Sequence, residues 1–362
     1  MSTVVRRLVV KIGSSSVTSA DGLPNESLLN RLADEVVERR AAGWEVVVVT
    51  SGAVAAGWAV LGAGQSRPSD VGVLQAASAV GQHHLMAAWA AAFERSGVVV
   101  GQVLLAPNDF ADRSQYLHAR QTLDHLLELG VVPVVNENDA VADDEIRFGD
   151  NDRLAALVAH LVGAERLVML TDTPGLLTGD PRHDDTASLI EVVTEIDATL
   201  EAVASGTSGV GSGGMASKLA AARIATWSGV EAVIAAAAEP GVLASIDAGE
   251  VVGTRFEARD ASLSARKLWL AFALRPEGTV AIDDGAVSAI TEAGRSLLAA
   301  GVAQVTGGFD EGDAIEITDA HGGLVAKGLA RVSASDLSQA LSSGSAAGVV
   351  VVHRDDLTVV LG

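Results

Sequence analysis

The chain has no cysteine. That removes disulfides, thiol nucleophiles, zinc–cysteine sites and iron–sulfur clusters together, and it suits a reducing, cytoplasmic setting. Basic residues are scarce: 25 Lys and Arg stand against 46 Asp and Glu, a formal net charge of −21. A surface that negative repels a phosphate backbone and an anionic lipid face. Nucleic acid and membrane are therefore poor partners, and an anionic substrate must be met by a few well-placed cations. Long hydrophobic runs are missing too. The longest, residues 85–93, is too short to span a bilayer. Arg6-Arg7 could open a twin-arginine signal, but only Leu8, Val9 and Val10 follow before Lys11, which leaves no hydrophobic core for one.

What is present is a 362-residue chain, 49% hydrophobic and punctuated by 38 glycines, long enough for roughly two or three domains. Through the first two-thirds, short apolar runs recur at residues 8–12, 46–50, 98–105, 131–135, 166–171 and 230–235. Strands without polar alternation are buried on both faces, which points to a mainly parallel sheet sandwiched by helices. The first intervening helix is explicit. Asn25 caps it, Leu28, Leu29, Leu32 and Val36 form its stripe, and Gly43 ends it. Ligands of such an α/β domain are expected at the carboxyl ends of the strands. The pattern changes after Gly253. Residues 1–260 read as the α/β domain, 261–276 as a linker closing on Arg275-Pro276-Glu277-Gly278, and 277–362 as a small, mostly β domain with strand-like pieces at 279–282, 314–318, 324–332 and 348–352.

Five segments at strand ends or helix starts carry chemistry. In Lys11-Ile12-Gly13-Ser14 a lysine interrupts an apolar strand, which is costly unless its ammonium meets an anion or snorkels out of an edge. Thr50-Ser51-Gly52-Ala53 is either an anion cradle at a helix N-terminus or an ordinary serine cap. Asn136-Glu137-Asn138-Asp139 and Phe148-Gly149-Asp150-Asn151-Asp152 crowd amides and acids at two junctions. Either alone could be a solvated turn; together they suggest a polar substrate site. Thr171-Asp172 would share the same rim. Residues 208–218 form a glycine loop running into a helix near Ala216, with Lys218 in its first turn, fit either to wrap a polyphosphate or to act as a hinge. Lys11 and Lys218 are both expected at a solvent-facing rim.

Two decoys fail. Gly209, Gly211 and Gly214 spell a dinucleotide fingerprint, with Glu231 at a tempting distance, but what precedes them reads as helix end and polar loop rather than the required strand. Ser217 stands where a Walker A loop has glycine before its lysine. The histidines, including His83-His84 and His118 with His125, lack metal-ligand spacing.

In order, these segments resemble the amino-acid kinase family. The matches are Val9-Val10-Lys11-Ile12-Gly13-Ser14, Val49-Thr50-Ser51-Gly52-Ala53, Asn136-Glu137-Asn138-Asp139-Ala140-Val141, Phe148-Gly149-Asp150-Asn151-Asp152, Leu170-Thr171-Asp172 and Gly213-Gly214-Met215-Ala216-Ser217-Lys218. The tail from Glu277, with Val352-His353-Arg354-Asp355-Asp356, resembles the PUA domain that many members carry. The resemblance implies a kinase that moves the γ-phosphate of ATP, with Mg²⁺ bridging its phosphates, onto the side-chain carboxylate of glutamate, the first step toward proline. It implies that Lys11 and Lys218 contact the transferring phosphoryl group while Asp152 holds them. Ser51, Gly52, Ala53, Asn136, Asp139 and Asn151 would bind glutamate. Lys11, Gly13, Ser14, Thr171, Asp172, Ser212, Gly213, Gly214, Met215, Ala216, Ser217 and Lys218 would bind ATP. Two departures stand out: Ser217 replaces a frequent threonine, and Pro174 and Leu177 sit where polar and aromatic residues are usual. Proline as feedback inhibitor and a homo-oligomer, dimer or tetramer, are further implications, with residues 85–93 suggested for a subunit contact.

The chemistry agrees with the resemblance. A carboxylate is already ionised at pH 7, so it attacks a phosphoryl group without a general base. The difficulty is bringing two anions together, which cationic groups around the transferred phosphate relieve. Related kinases acting on acetylglutamate, aspartate, carbamate or a nucleotide are the rivals, and the Asn-Glu-Asn-Asp segment and PUA-like tail argue against them. An RNA-binding tail is the other rival; from Glu277 onward 12 acids face 4 bases, the wrong sign for a phosphate-dominated partner.

Overall fold

The computed structural model describes residues 5–62, 68–110, 112–141, 151–180, 186–206, 214–260, 263–272, 274 and 276–360. The chain divides into two compact units, Met1–Ser262 and Leu263–Gly362.

The first unit is built on strands β1 (Arg6–Ile12), β2 (Trp44–Val49), β3 (Val100–Leu105), β4 (Val132–Glu137), β5 (Arg166–Thr171), β6 (Val192–Val193), β7 (Glu231–Ala236) and β8 (Thr254–Phe256). They form one sheet in the order β3-β4-β2-β1-β5-β7-β8-β6. All neighbours run parallel except β7 and β8. The short β6 and β8 escape sequence reading because two or three residues carry no periodicity.

Helices α1 (Ser14–Val17), α2 (Glu26–Ala41), α3 (Ala53–Gly62), α4 (Val71–Glu94), α5 (Arg113–Glu128), α6 (Asn151–Leu161), α7 (Ala198–Gly206), α8 (Met215–Trp227) and α9 (Val242–Asp247) accompany the sheet. Asn25 accepts from the Leu28 N–H to cap α2, and Gly43 follows at φ 93°. Alternation along β1 sorts its side chains. Leu8, Val10 and Ile12 join one core with Leu29, Leu32 and Val36 of α2 and Leu85, Trp89 and Phe93 of α4. Val9 and Lys11 point to the opposite face, where α6 packs against β1 and α8 against α6.

Helix α4 sets much of the site. Its inward stripe includes Ala77, Ser78, Gly81, Gln82, Leu85 and Trp89, all buried. Leu85, Trp89 and Phe93 of the apolar run at 85–93 are buried in this core, while Met86 is half-buried. α4 crosses α3 at close quarters. A Cβ on Gly81 would lie 1.8 Å from the Ala53 carbonyl oxygen, and one on Gly57 1.7 Å from that of Ala77. Gly81→Val is therefore expected to lower stability by at least about 2 kcal/mol, read as a drop in the urea midpoint. An unchanged midpoint would mean the two helices can separate freely.

The second unit carries α10 (Ala265–Phe272), β9 (Gly278–Ile282), α11 (Asp284–Thr291), β10 (Leu297–Leu298), β11 (Val302–Gly307), β12 (Ala314–Thr318), β13 (Leu324–Ala330), α12 (Ala334–Ser342) and β14 (Val350–Val359). Its sheet runs β10-β14-β13-β12-β9-β11, antiparallel except for β12 beside β9. Val280, Ile282, Ile315, Ile317, Val325, Val351 and Val352 fill its core. Two features differ from the sequence reading. α10 lies within the stretch read as linker and packs on β13 and β14. β14 continues through His353-Arg354-Asp355-Asp356 instead of stopping at residue 352. A charged tetrapeptide does not look like a strand, but Asp356 is buried there and paired with Arg331 at 2.5 Å.

Candidate active site

The carboxyl ends of β1, β2, β4 and β5 lie side by side and gather most of the predicted residues. Lys11, the penultimate residue of β1, is only 4% exposed. Its ammonium Nζ lies 2.6 Å from Asp152 Oδ1. Lys218, in the first turn of α8, is equally buried, and its Nζ lies 3.2 Å from Asp152 Oδ2. Two lysines from distant parts of the chain thus share one carboxylate at the head of α6. The expectation that both sit at a solvent-facing rim is corrected: strand β1 is central in the sheet, and α6 and α8 cover that face.

Asp152 is 1% exposed. Burial alone pushes its carboxyl up, but the two ammoniums, Lys11 before Lys218, outweigh that and hold it below the ordinary carboxylate range. A depressed folded-state pKa means this group's contribution to stability is complete above the usual carboxylate range. It is lost as pH falls through the depressed value.

A second cluster surrounds the end of β4. Asn136 and Glu137 are its last strand residues, not a following turn, and all of Asn136, Glu137, Asp139 and Asn151 are buried. The Glu137 N–H donates to Asn151 Oδ1 at 3.2 Å and to Asn136 Oδ1 at 3.0 Å. Asn136 Nδ2 donates to Gln82 Oε1 at 2.7 Å, and Ser78 Oγ donates to Asp139 Oδ2 at 2.6 Å. Asn151 and Asp152 are consecutive, so the amide cluster and the lysine pair meet at the head of α6.

The third group is at β2. Thr50 N–H donates to the Val135 carbonyl, tying β2 to β4. Trp89 Nε1 donates to Thr50 Oγ1 at 3.1 Å. Ser51 is buried, and Gly52 turns the chain into α3 at φ 101°. That left-handed conformation favours glycine, and a Cβ there would also press on Thr18 at 3.0 Å.

At β5, Thr171 Oγ1 donates to Asp172 Oδ1, and the Thr171 carbonyl accepts from Ala237 N–H at 2.6 Å. Gly13 N–H donates to the Leu170 carbonyl, fastening the end of β1 to that of β5, and Ser14 opens α1. Gly214 is the N-cap of α8, followed by Met215, Ala216 and Ser217. Ser212 and Gly213 lie outside the described residues, as do Phe148, Gly149 and Asp150 and the decoy glycines Gly209 and Gly211.

Sequence reasoning missed Ser78, Gln82 and Trp89. They occupy positions i, i+4 and i+11 on one face of α4, and each bonds a different part of the rim. Polar residues inside a buried stripe were the available signal. It was masked because Gln75, His83 and His84 make the helix polar on other faces as well.

Comparison with known proteins defines the class. The amino acid kinase family matches residues 6–236 and the PUA domain residues 278–353. The chain belongs to the amino acid kinase family. A curated relative from Nocardia farcinica, named glutamate 5-kinase, is 52% identical over 305 residues, covering 84% of this chain and 82% of that protein. One from Paraburkholderia phytofirmans with the same name is 45% identical over 365 residues, covering 98% of each. Among solved structures, carbamate kinase from Giardia lamblia bound to AMP-PNP superposes with a TM-score of 0.50 at 14% identity, over 70% of this chain and 99% of that one. The product complex of T. acidophilum isopentenyl phosphate kinase does so with a TM-score of 0.50 at 16% identity, over 69% of this chain and all of that one.

Proposed function

We propose that this protein transfers the γ-phosphate of ATP to the side-chain carboxylate of L-glutamate, giving glutamyl 5-phosphate for proline biosynthesis. The observation that carries the reading is the pair of buried lysines on one buried carboxylate, Lys11 and Lys218 on Asp152, in a chain whose near relatives are named for this activity. An ammonium has three donors, so each lysine can keep Asp152 and still reach a phosphoryl oxygen. The nucleophile is an ionised carboxylate, and no base is needed to prepare it. What must be overcome is repulsion between that carboxylate and the phosphate, and two fixed cations act on the charge that develops during transfer.

In this reading Ser51, Gly52, Ala53, Asn136, Asp139 and Asn151 hold the amino acid. Gly13, Ser14, Thr171, Asp172 and the segment from Ser212 through Gly213, Gly214, Met215, Ala216 and Ser217 to Lys218 hold ATP. Among the described residues no cluster of His, Asp or Glu could hold a metal ion; Mg²⁺ enters as part of the nucleotide substrate. Proline as inhibitor and a homo-oligomeric state belong to the same proposal. Among the described residues no helix is long and apolar enough to cross a membrane.

An ATP-dependent assay with hydroxylamine, which traps acyl phosphates as hydroxamates, tests the reading across a panel of amino acids. Product is expected with L-glutamate and not with aspartate or acetylglutamate; preference for either of those would overturn it. A chain ended after Asp260 is expected to fold and retain this activity, since every proposed site residue precedes Arg223. A folded but inert fragment would place part of the machinery in the second unit.

A further inference from the structure

Gln82 carries a buried donor that the described part of the site leaves unpaired. It is 92% buried, at 8% exposure. Its Oε1 accepts from Asn136 Nδ2 at 2.7 Å, yet its Nε2 is buried with no hydrogen-bond partner among the described residues. A buried amide donor left unmade costs roughly 1–3 kcal/mol, and natural interiors seldom carry one. The amide is planar, so fixing the oxygen on Asn136 also fixes where the nitrogen stands, beside the end of β4. One helical turn earlier, Ser78 donates to Asp139. The stripe of α4 therefore places an anchored, unused donor next to an anchored carboxylate.

We infer that Gln82 is a specificity-determining residue whose Nε2 donates to the α-carboxylate of the bound amino acid. The inference rests on the glutamate reading above. An α-amino acid presents a cation and an anion on adjacent atoms. Asp139 matches the ammonium and the Gln82 amide, with the Ser51-Gly52 turn, matches the carboxylate. The side-chain carboxylate is then left to run toward Lys11 and Lys218. An ionised carboxylate is acceptor-only, which is the complement an unpartnered N–H needs. Asn136 acts as the positioning residue that keeps the Gln82 amide from turning over.

The test compares glutamate with its α-carboxamide analogue, which keeps the reacting side-chain carboxylate, in the hydroxamate assay. The unaltered chain is expected to favour glutamate. Gln82→Glu places a carboxylate where the amide donor was, repelling the substrate α-carboxylate while accepting from an α-carboxamide. The ratio of kcat/KM values should shift toward the carboxamide by roughly 10–100-fold, the scale of one hydrogen bond to a charged group, with KM for ATP unchanged. A merely structural strut would weaken both substrates alike and leave the ratio where it was; that result overturns the inference. If Gln82→Glu does not fold, Gln82→Met, of similar length and without a donor, is read by the same ratio, which should fall toward parity. Should the unaltered chain itself not phosphorylate glutamate, the glutamate reading fails first, and the two failures are told apart.

Discussion

Lys218→Ala is expected to lower kcat roughly 10²–10³-fold, the usual loss when one fixed electrostatic stabiliser is removed, and Lys11→Ala should do the same. KM for glutamate should move little, because neither ammonium lies in the amide cluster. Stability should follow a different order. Lys218→Ala leaves Asp152 paired with Lys11 at 2.6 Å, so unfolding should shift modestly. Asp152→Ala takes the shared carboxylate from two buried lysines at once, and breaking a buried pair from one side costs about 3–5 kcal/mol. Thermal melts of the three variants should therefore rank Asp152→Ala lowest by a clear margin, with all three nearly inactive. A Lys218→Ala protein with near-normal kcat would sink the phosphoryl assignment, and an Asp152→Ala protein as stable as its parent would show the lysines are held by something else.

Asp139→Ala should act on the other half of the reaction. Under the proposed reading Asp139 pairs with the substrate ammonium out of water, and truncating one partner of such a pair costs about 2–5 kcal/mol. That corresponds to a rise in KM for glutamate of roughly 30-fold to several thousand-fold, with KM for ATP nearly constant. The competing role is local: Asp139 opens a short 3-10 turn, Asp139–Val141, and accepts from Ser78. If that were all it did, its loss would cost about 1 kcal/mol of stability and leave substrate binding alone. Measuring both KM values and the melting temperature separates the two, and an unaltered glutamate KM ends the idea. The same pairing accounts for rejecting acetylglutamate, whose amide nitrogen carries no charge and would leave Asp139 buried without its counter-ion. Sites built on such a contact can discriminate by roughly 10⁴-fold.

The sheet was legible because β1, β2, β4, β5 and β7 are buried on both faces and show as unbroken apolar runs. Lys11 was legible for the converse reason: a charge in such a run demands an explanation. The strand ends were harder. Asn136 and Glu137 are polar and still in register with Leu104 and Leu105 of β3, since the ladder's hydrogen bonds do not depend on side-chain character. The depth of the lysine pair was not legible either. Burial there depends on α6 and α8 closing over one face of β1, a contact between segments more than a hundred residues apart. Ser78 and Gln82 were invisible for a related reason, because a polar residue on a helix declares itself buried only once its neighbours are known.

The crossing of α3 and α4 at Gly57 and Gly81 has a practical consequence. The amides and hydroxyls that would choose the acceptor hang from α4 and the ends of β2 and β4, whereas the charges that would move the phosphate stand on β1, α6 and α8. Among the described residues, Asn151 and Asp152 stand side by side and join the two sets. A mutagenesis library confined to the inward stripe of α4 can therefore explore new acceptors without entering the transfer machinery, provided the two glycines are left as they are. Groups at the ends of β2 and β4 would complete the choice of acceptor that such a library begins.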